Sequence, residues 1–155
     1  MFRNILLPVD FSPKNEKAIE IALNLSQGSQ AAQAALGGSD EAEQSPAAVN
    51  LVHVVEIIEH IEFAEMADFY RKLETRATAK LAVLAERFAG TGVRARQDVL
   101  FGRRTEMILK HAGDLGSDLI VLSSFRVDRD HPALGLGAIS YQVAIVARCP
   151  VLLVK

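Results

Sequence analysis

The chain has 155 residues, half of them apolar, and a net charge of −2. That length suits one domain with enough chain to bury a core. The charge balance excludes the positive excess of a nucleic-acid binder and the composition of a disordered polymer. No run of eighteen apolar residues occurs, so no membrane span is expected.

Met1 to Val9 is apolar, but it is too short for a signal peptide and ends in Pro8-Val9-Asp10. The single cysteine, Cys149, excludes an internal disulfide. It reads as a small packing residue and fits a reduced, cytoplasmic setting.

Ile5 to Val9 is a continuous apolar run, which predicts a central strand covered on both faces, over about 3–9. Asp10 follows at its carboxyl end. Ser12-Pro13 reads as the cap and first residue of a helix. Ala18, Ile19, Ala22 and Leu23 form that helix's buried face, and it runs to about Leu25. Gln27 to Ala48 is rich in Ala, Gln, Ser and Gly and is punctuated by Gly37-Gly38 and Pro46. It reads as a flexible insertion, mobile at least around Gly37 to Gln44. A helical turn around Gln30 to Leu36 stays open, as do a functional lid and a tolerated surface loop.

A second strand is predicted at 48–55. His53 lies inside it and reads as a core histidine with a hydrogen-bonded ring, since no second ligand sits at metal spacing to it. His60, Glu62, Glu65 and Asp68 form an acidic patch that fits a solvated helix face better than a metal site. A long helical region spans about Ile61 to Ala89, with Leu73, Ala77, Leu81, Leu84 and Phe88 on one side. Phe63, Phe69 and Tyr70 crowd its start, where a break or a mobile turn could occur. Gly90 and Gly92 end it.

The third strand, 93–100, alternates Val93, Ala95, Gln97 and Val99 with Arg94, Arg96 and Asp98, the pattern of a half-exposed edge strand. Gly102-Arg103-Arg104-Thr105 opens the next helix, whose stripe is Ile108, His111, Ala112 and Leu115. Gly116 caps it. Asp118 to Ser123 is the fourth strand.

A polar loop, Phe125 to Pro132, and Gly135-Leu136-Gly137 lead into a helix carrying Ile139, Val143, Val146 and Ala147 on one face. The last strand is 150–154. Strand, loop, helix and strand make a right-handed βαβ unit with its loop at the strand's carboxyl end. Backbone N–H groups near Gly137 are then free to bind an anion, although glycine in such a turn also serves geometry alone. The alternation of strands and helices along the chain predicts one α/β domain, 1–155, built on a doubly wound parallel sheet with helices on both faces.

Taken together these residues resemble the universal stress protein family over nearly the whole chain, the 27–48 insertion apart. The resemblance rests on Asn4-Ile5-Leu6-Leu7-Pro8-Val9-Asp10-Phe11-Ser12, Leu51-Val52-His53-Val54-Val55, and Gly102 before the third helix. It rests also on Asp118-Leu119-Ile120-Val121-Leu122 and Cys149-Pro150-Val151-Leu152-Leu153-Val154. It implies a five-stranded parallel sheet of order 3-2-1-4-5, a homodimer often formed through the last strand, and in one branch ATP, ADP or AMP binding.

In that branch the loop after strand four reads Gly-x-x-Gly, nine residues, then Gly-Ser or Gly-Thr. Here Ser123 and Arg126 replace the early glycines, the loop to Gly137 is one residue longer, and Ala138 replaces the hydroxyl residue. Residues with a Cβ resist positive φ and close approach to phosphate. Carried over position by position, the resemblance puts Asp10 near adenine and ribose, with Pro8, Val9 and Val54 along the pocket wall. Ser123, Ser124, Gly137, Ala138 and Ile139 fall on the phosphate side. Arg103, Arg104, Arg126 and Arg129 lie on predicted loops at the strands' carboxyl ends. They offer positive charge in place of the lost glycines, or they are solvated surface arginines. Asp10 likewise also suits a helix amino terminus.

Two functions remain open. One is an adenine-nucleotide-binding stress-response module with at most slow ATP hydrolysis. No Gly-x-Ser-x-Gly elbow or Walker lysine is present, and Ser123-Ser124 with His131 and Asp128 lacks an ordering element. The other is a dimeric interaction module that binds no nucleotide and regulates a partner protein. Neither nucleic acid nor a metal is expected.

Overall fold

The computed structural model describes residues 2–36, 46–125, 130 and 138–155. The elements run β1 (Asn4–Pro8), α1 (Asn15–Leu36), β2 (Ala48–Val55), α2 (Ala67–Ala85), β3 (Arg94–Phe101), α3 (Arg104–Asp114), β4 (Leu119–Ser123), α4 (Ile139–Val146) and β5 (Val151–Val154). Short 3₁₀ turns, Phe63–Met66 and Glu86–Phe88, flank α2, so the crowded aromatic start does break the helical region. All neighbouring strands pair in parallel, and the five-stranded sheet has the order β3-β2-β1-β4-β5. This is the architecture expected from the sequence.

The pleat explains the continuous apolar strands. Successive residues of β1 point to opposite faces. Ile5 and Leu7, with Val9 just beyond the strand, pack with Ala18, Ile19 and Ala22 of α1 and Leu81 of α2. Leu6 points the other way, toward Ile108 and Ala112 of α3 and Val143 of α4. Register keeps the layers aligned, with Leu6 opposite Asn50 and Ile120. β3 and β5 are the edges, and β3 is half exposed as its alternation requires. Cys149 packs against the α3–α4 layer, and burial pushes its thiol pKa up.

The two ends of the sheet differ. At the amino end, polar side chains sew the central strands together. The Asp118 carboxylate accepts from the backbone N–H of Arg3 (2.7 Å) and Asn4 (3.1 Å). Asn50 Nδ2 donates to Asn4 Oδ1 at 2.6 Å. At the carboxyl end a cleft opens instead.

Three expectations need correction. The first helix begins at Asn15 rather than Pro13, because Ser12 and Pro13 form a turn in which the Asn15 N–H donates to Ser12 O at 3.0 Å. It also runs to Leu36, through the first ten residues of the segment read as a flexible insertion. Small residues let this extension pack without an apolar stripe: Ser26 and Ser29 are buried, and Ser26 Oγ donates to Ala22 O at 2.8 Å. Gln30 Nε2 donates to Gly92 O at 2.8 Å, tying the extension to the turn before β3. The stretch expected to be mobile, Gly37 to Gln44, lies outside the described residues. Finally, Val146 is 61% exposed. Ser140, Val143 and Ala147 share the buried side of α4, and Val146 falls off the edge of that stripe.

Gly102 is fixed by geometry. Its φ is +143°, and a Cβ there would lie 2.9 Å from Met107 Cγ. It turns β3 sharply into α3 and so sets where Arg103 and Arg104 emerge.

Candidate functional site: the cleft between β1 and β4

Strand order reverses between β1 and β4: β1 leads outward through β2 to β3, and β4 leads to β5. Their connections leave in opposite directions, which opens a crevice at the carboxyl ends. A cleft of about 330 Å³ lies there. It brings together eight of the sequence-predicted residues: Pro8, Val9, Asp10, Val54, Ser123, Ser124, Ala138 and Ile139. Arg126 and Gly137 lie outside the described residues, as do Arg129, Asp128 and His131.

The walls are apolar. Val9, Val52, Val54, Ile108 and Leu122 line them, all buried. The rim is polar and tightly organised. Asp10 N–H donates to Asn15 Oδ1 at 3.0 Å, and Asn15 Nδ2 donates to Ser123 Oγ at 2.9 Å. Ser123 Oγ in turn donates to Lys14 O at 3.2 Å. One buried amide in the first turn of α1 therefore clasps both sides of the crevice. Asp10 Oδ1 accepts from the Ser12 N–H at 2.9 Å. Partial burial opposes charge on Asp10. The Ser12 N–H, Asp10's own N–H and Arg104 act against it, and the carboxyl stays below its ordinary 3.8. Asp10 is thus an anion at neutral pH.

On the β4 side, Ala138 takes an extended conformation before α4, with φ −70° and ψ 143°. The N–H groups of Tyr141 and Gln142 both turn back to Ala138 O. The N–H groups at the very start of a helix have no intrahelical partner, and Ala138, Ile139 and Ser140 face the cleft. Ala138 lacks the hydroxyl of the full motif. Ser140 supplies one two residues later, buried and 3.1 Å from Ser124 Oγ.

Sequence reasoning missed Lys14, Asn15 and Ser140 as cleft residues, and it gave His53 to the core. His53 also lines the cleft, half-buried. Its Nδ1 lies 2.8 Å from Val9 O. A carbonyl only accepts, so Nδ1 carries the proton. The Phe11 ring packs on the imidazole with centroids 4.4 Å apart, and Phe11 itself has φ +62°, unusual for a residue with a Cβ. Arg104, one of four candidate cations in the sequence, does line the cleft and pairs with Glu56 at 3.2 Å. Arg103 turns away to Glu59 and Glu106. Only the Asn15 position had a local signal, as a helix-start residue; the others depend on which loops the sheet brings together.

The histidine gives a pH prediction. Burial, the largest influence, acts with Arg104 and Lys80 against the Val9 bond and the Asp10 charge, and holds His53 below its ordinary 6.5. The unfolded chain takes up this proton more readily. Stability should therefore fall as pH drops from about 6.5 through the lowered folded value. Urea midpoints at pH 7 and pH 5 should differ for the wild type, and the difference should shrink in His53→Gln. An unchanged difference would show that other groups carry it.

Among the described residues no group of three His, Cys, Asp or Glu side chains is placed to hold a metal ion. Among them too, no helix is long and apolar enough to cross a membrane.

No curated protein matches the chain in sequence. Solved structures share its fold. Universal stress protein UspA from Lactobacillus plantarum is 19% identical with a TM-score of 0.70, covering 100% of this chain and 99% of that one. A universal stress protein in complex with cAMP is 17% identical with a TM-score of 0.70, covering 99% and 97%. The universal stress protein from Archaeoglobus fulgidus in complex with dAMP is 16% identical with a TM-score of 0.60, covering 99% and 98%. The profile of the universal stress protein family matches residues 1–155. With the strand order, the β1–β4 crevice and this full-length match in agreement, the chain belongs to the universal stress protein family.

Proposed function

We propose that the protein binds an adenine nucleotide in the β1–β4 cleft. The observation that carries this reading is the pairing of an apolar slot with an anionic rim residue and a helix amino terminus across one crevice. Val9, Val54 and Ile108 suit the faces of a purine. Asp10 suits a ribose hydroxyl or an exocyclic amino group. The first N–H groups of α4 suit a phosphate, and Lys14 and Arg104 add positive charge at the same cleft. The cAMP and dAMP carried by two structures of the same fold support the ligand class.

The volume, about 330 Å³, is at the small end for ligand pockets. With Ser123 replacing a glycine, and its hydroxyl already engaged by Asn15 and Lys14, AMP and ADP should lose less affinity than ATP relative to full-motif relatives. Calorimetric titration with the three nucleotides tests this. Absence of heat at millimolar AMP and ADP would defeat the nucleotide reading.

The chain is further proposed to act as a homodimer in the cytoplasm. The single thiol needs no oxidising compartment. β5 is an edge strand, and an apolar edge requires a cover. Leu152 on that strand, and Ile145 and Val146 at the end of α4, are exposed by 38%, 74% and 61%. Leu152→Asp should shift the protein to monomer in light scattering, with wild type dimeric at the same concentration. A wild-type monomer at all concentrations would remove the dimer and the interaction-module reading built on it.

A further inference from the structure

Away from the cleft, the stretch that leaves β2 and enters α2 exposes an unusual run of large apolar side chains. Ile57, Ile58, Ile61, Phe63 and Phe69 are each between 42% and 49% exposed. The run is braced from beneath, not loosely hung. Phe63 stacks on Tyr70 with centroids 4.7 Å apart, and Phe101 meets both rings edge-on. Tyr70 is 2% exposed, and its hydroxyl accepts from the Ile58 N–H at 2.7 Å. The apolar ridge is therefore held outward in a fixed shape, which is costly in water unless something covers it.

Its charge is equally one-sided. Carboxylates recur at Glu56, Glu59, Glu62, Glu65 and Asp68, every third residue, and no lysine or arginine occurs anywhere between Lys17 and Arg71. Arg104, Arg103 and Arg71 neutralise Glu56, Glu59 and Asp68. Among the described residues, Glu62 and Glu65 have no cation partner. Apolar side chains beside unpaired carboxylates complement a surface that is apolar and basic.

We propose that the Glu56–Phe69 ridge docks a basic amphipathic segment of a partner protein, with apolar anchors at helical spacing against the Ile and Phe side chains and lysines or arginines on Glu62 and Glu65. The recognition mode is an amphipathic helix laid on an apolar surface, with the carboxylates setting partner choice. The same carboxylates repel an anionic bilayer. Exposed Arg71, Lys72 and Arg76 lie next along α2, so a second copy of this chain is the competing occupant, and the test separates it. The site is distinct from the nucleotide cleft and stands or falls independently of it.

The experiment is fluorescence anisotropy of a labelled amphipathic Leu/Lys helical peptide against full-length protein, with its Leu/Glu counterpart as control. Wild type should bind the Leu/Lys peptide with a Kd of roughly micromolar order and ignore the Leu/Glu peptide. Glu62→Lys/Glu65→Lys should weaken binding roughly tenfold or more without moving the thermal midpoint, because no ion pair among the described residues is lost. Ile61→Ser should also weaken it. Glu20→Lys/Glu86→Lys makes the same change in net charge elsewhere and should leave binding intact. Equal loss in the two double variants would overturn the proposal, as would no binding by wild type or indifference to Ile61→Ser. Wild-type binding to phosphatidylcholine vesicles that Ile61→Ser abolishes would also overturn it. So would self-association in sedimentation that Glu62→Lys/Glu65→Lys abolishes.

Discussion

Asp10→Ala should lower adenine-nucleotide affinity by roughly 10- to 100-fold, the loss of a charge-assisted hydrogen bond of about 1.5–3 kcal/mol. The carboxyl stands at the mouth of the cleft, and its environment holds it ionised at neutral pH. The substitution also removes the acceptor for the Ser12 N–H, so a change in turn geometry must be told apart from a lost ligand contact. Asp10→Asn keeps an oxygen acceptor for that turn and loses the charge. Affinity close to wild type in Asp10→Asn, with a large loss in Asp10→Ala, would assign the effect to the turn. Similar losses in both would assign it to the carboxylate. Calorimetry with AMP reads both variants, and circular dichroism confirms that they fold. If Asp10→Ala binds as tightly as wild type, Asp10 has no part in the ligand contact, whatever occupies the cleft.

The largest stability loss is expected at Leu6→Ala. Leu6 is fully buried in the middle strand, opposite Asn50 and Ile120, and it packs in the same layer as Ile108 and Val143. Removing three carbons there leaves a cavity between the sheet and two helices, worth about 2–5 kcal/mol. For a chain of this size that should lower the thermal midpoint by roughly 5–15 °C. Val83→Ala, 63% exposed on α2, serves as a control whose shift should be much smaller. Scanning calorimetry reads both, and a Leu6→Ala midpoint within about 2 °C of wild type would mean that this layer repacks without a cavity. The Leu6 layer carries α3 and α4, which place Arg104 and Ser140 at the cleft. Nucleotide binding in the variant should therefore weaken as well, although Leu6 itself does not line the cleft.

Much of the fold was legible in the chain because its strands and helices declare themselves locally. A parallel strand buried on both faces is apolar along its length, as Ile5 to Val9 and Leu119 to Leu122 are throughout and Leu51 to Val55 is except at His53. The glycines after α2 and before α3 mark turns that a side chain would strain. Where the sequence reading strayed, the cause was a contact between distant residues. Ser26, Ser29 and Gln30 carry no apolar period, yet they continue α1 because small side chains pack closely and one amide reaches the Gly92 carbonyl. That contact joins residues 62 apart, and no local pattern encodes it.

The cleft divides in the same way. Asp10, Val9 and Val54 were placed at the site by the family resemblance, and Val9 and Asp10 also lie at the carboxyl end of a predicted strand, where the crevice of such a sheet forms. The clasp of Asn15 between Asp10 and Ser123, the turning of His53 onto Val9 O, and the Ser124–Ser140 pair were decided only in three dimensions. Each joins side chains from different elements, and its geometry follows from strand order and loop approach. The apolar, acidic ridge at Glu56–Phe69 shows the division most sharply. Its composition is plain in the sequence, where a solvated helix face was the natural reading. That its apolar side chains are exposed and yet braced was decided in three dimensions, where buried Tyr70 stacks on Phe63, meets Phe69 edge-on and accepts from the Ile58 N–H.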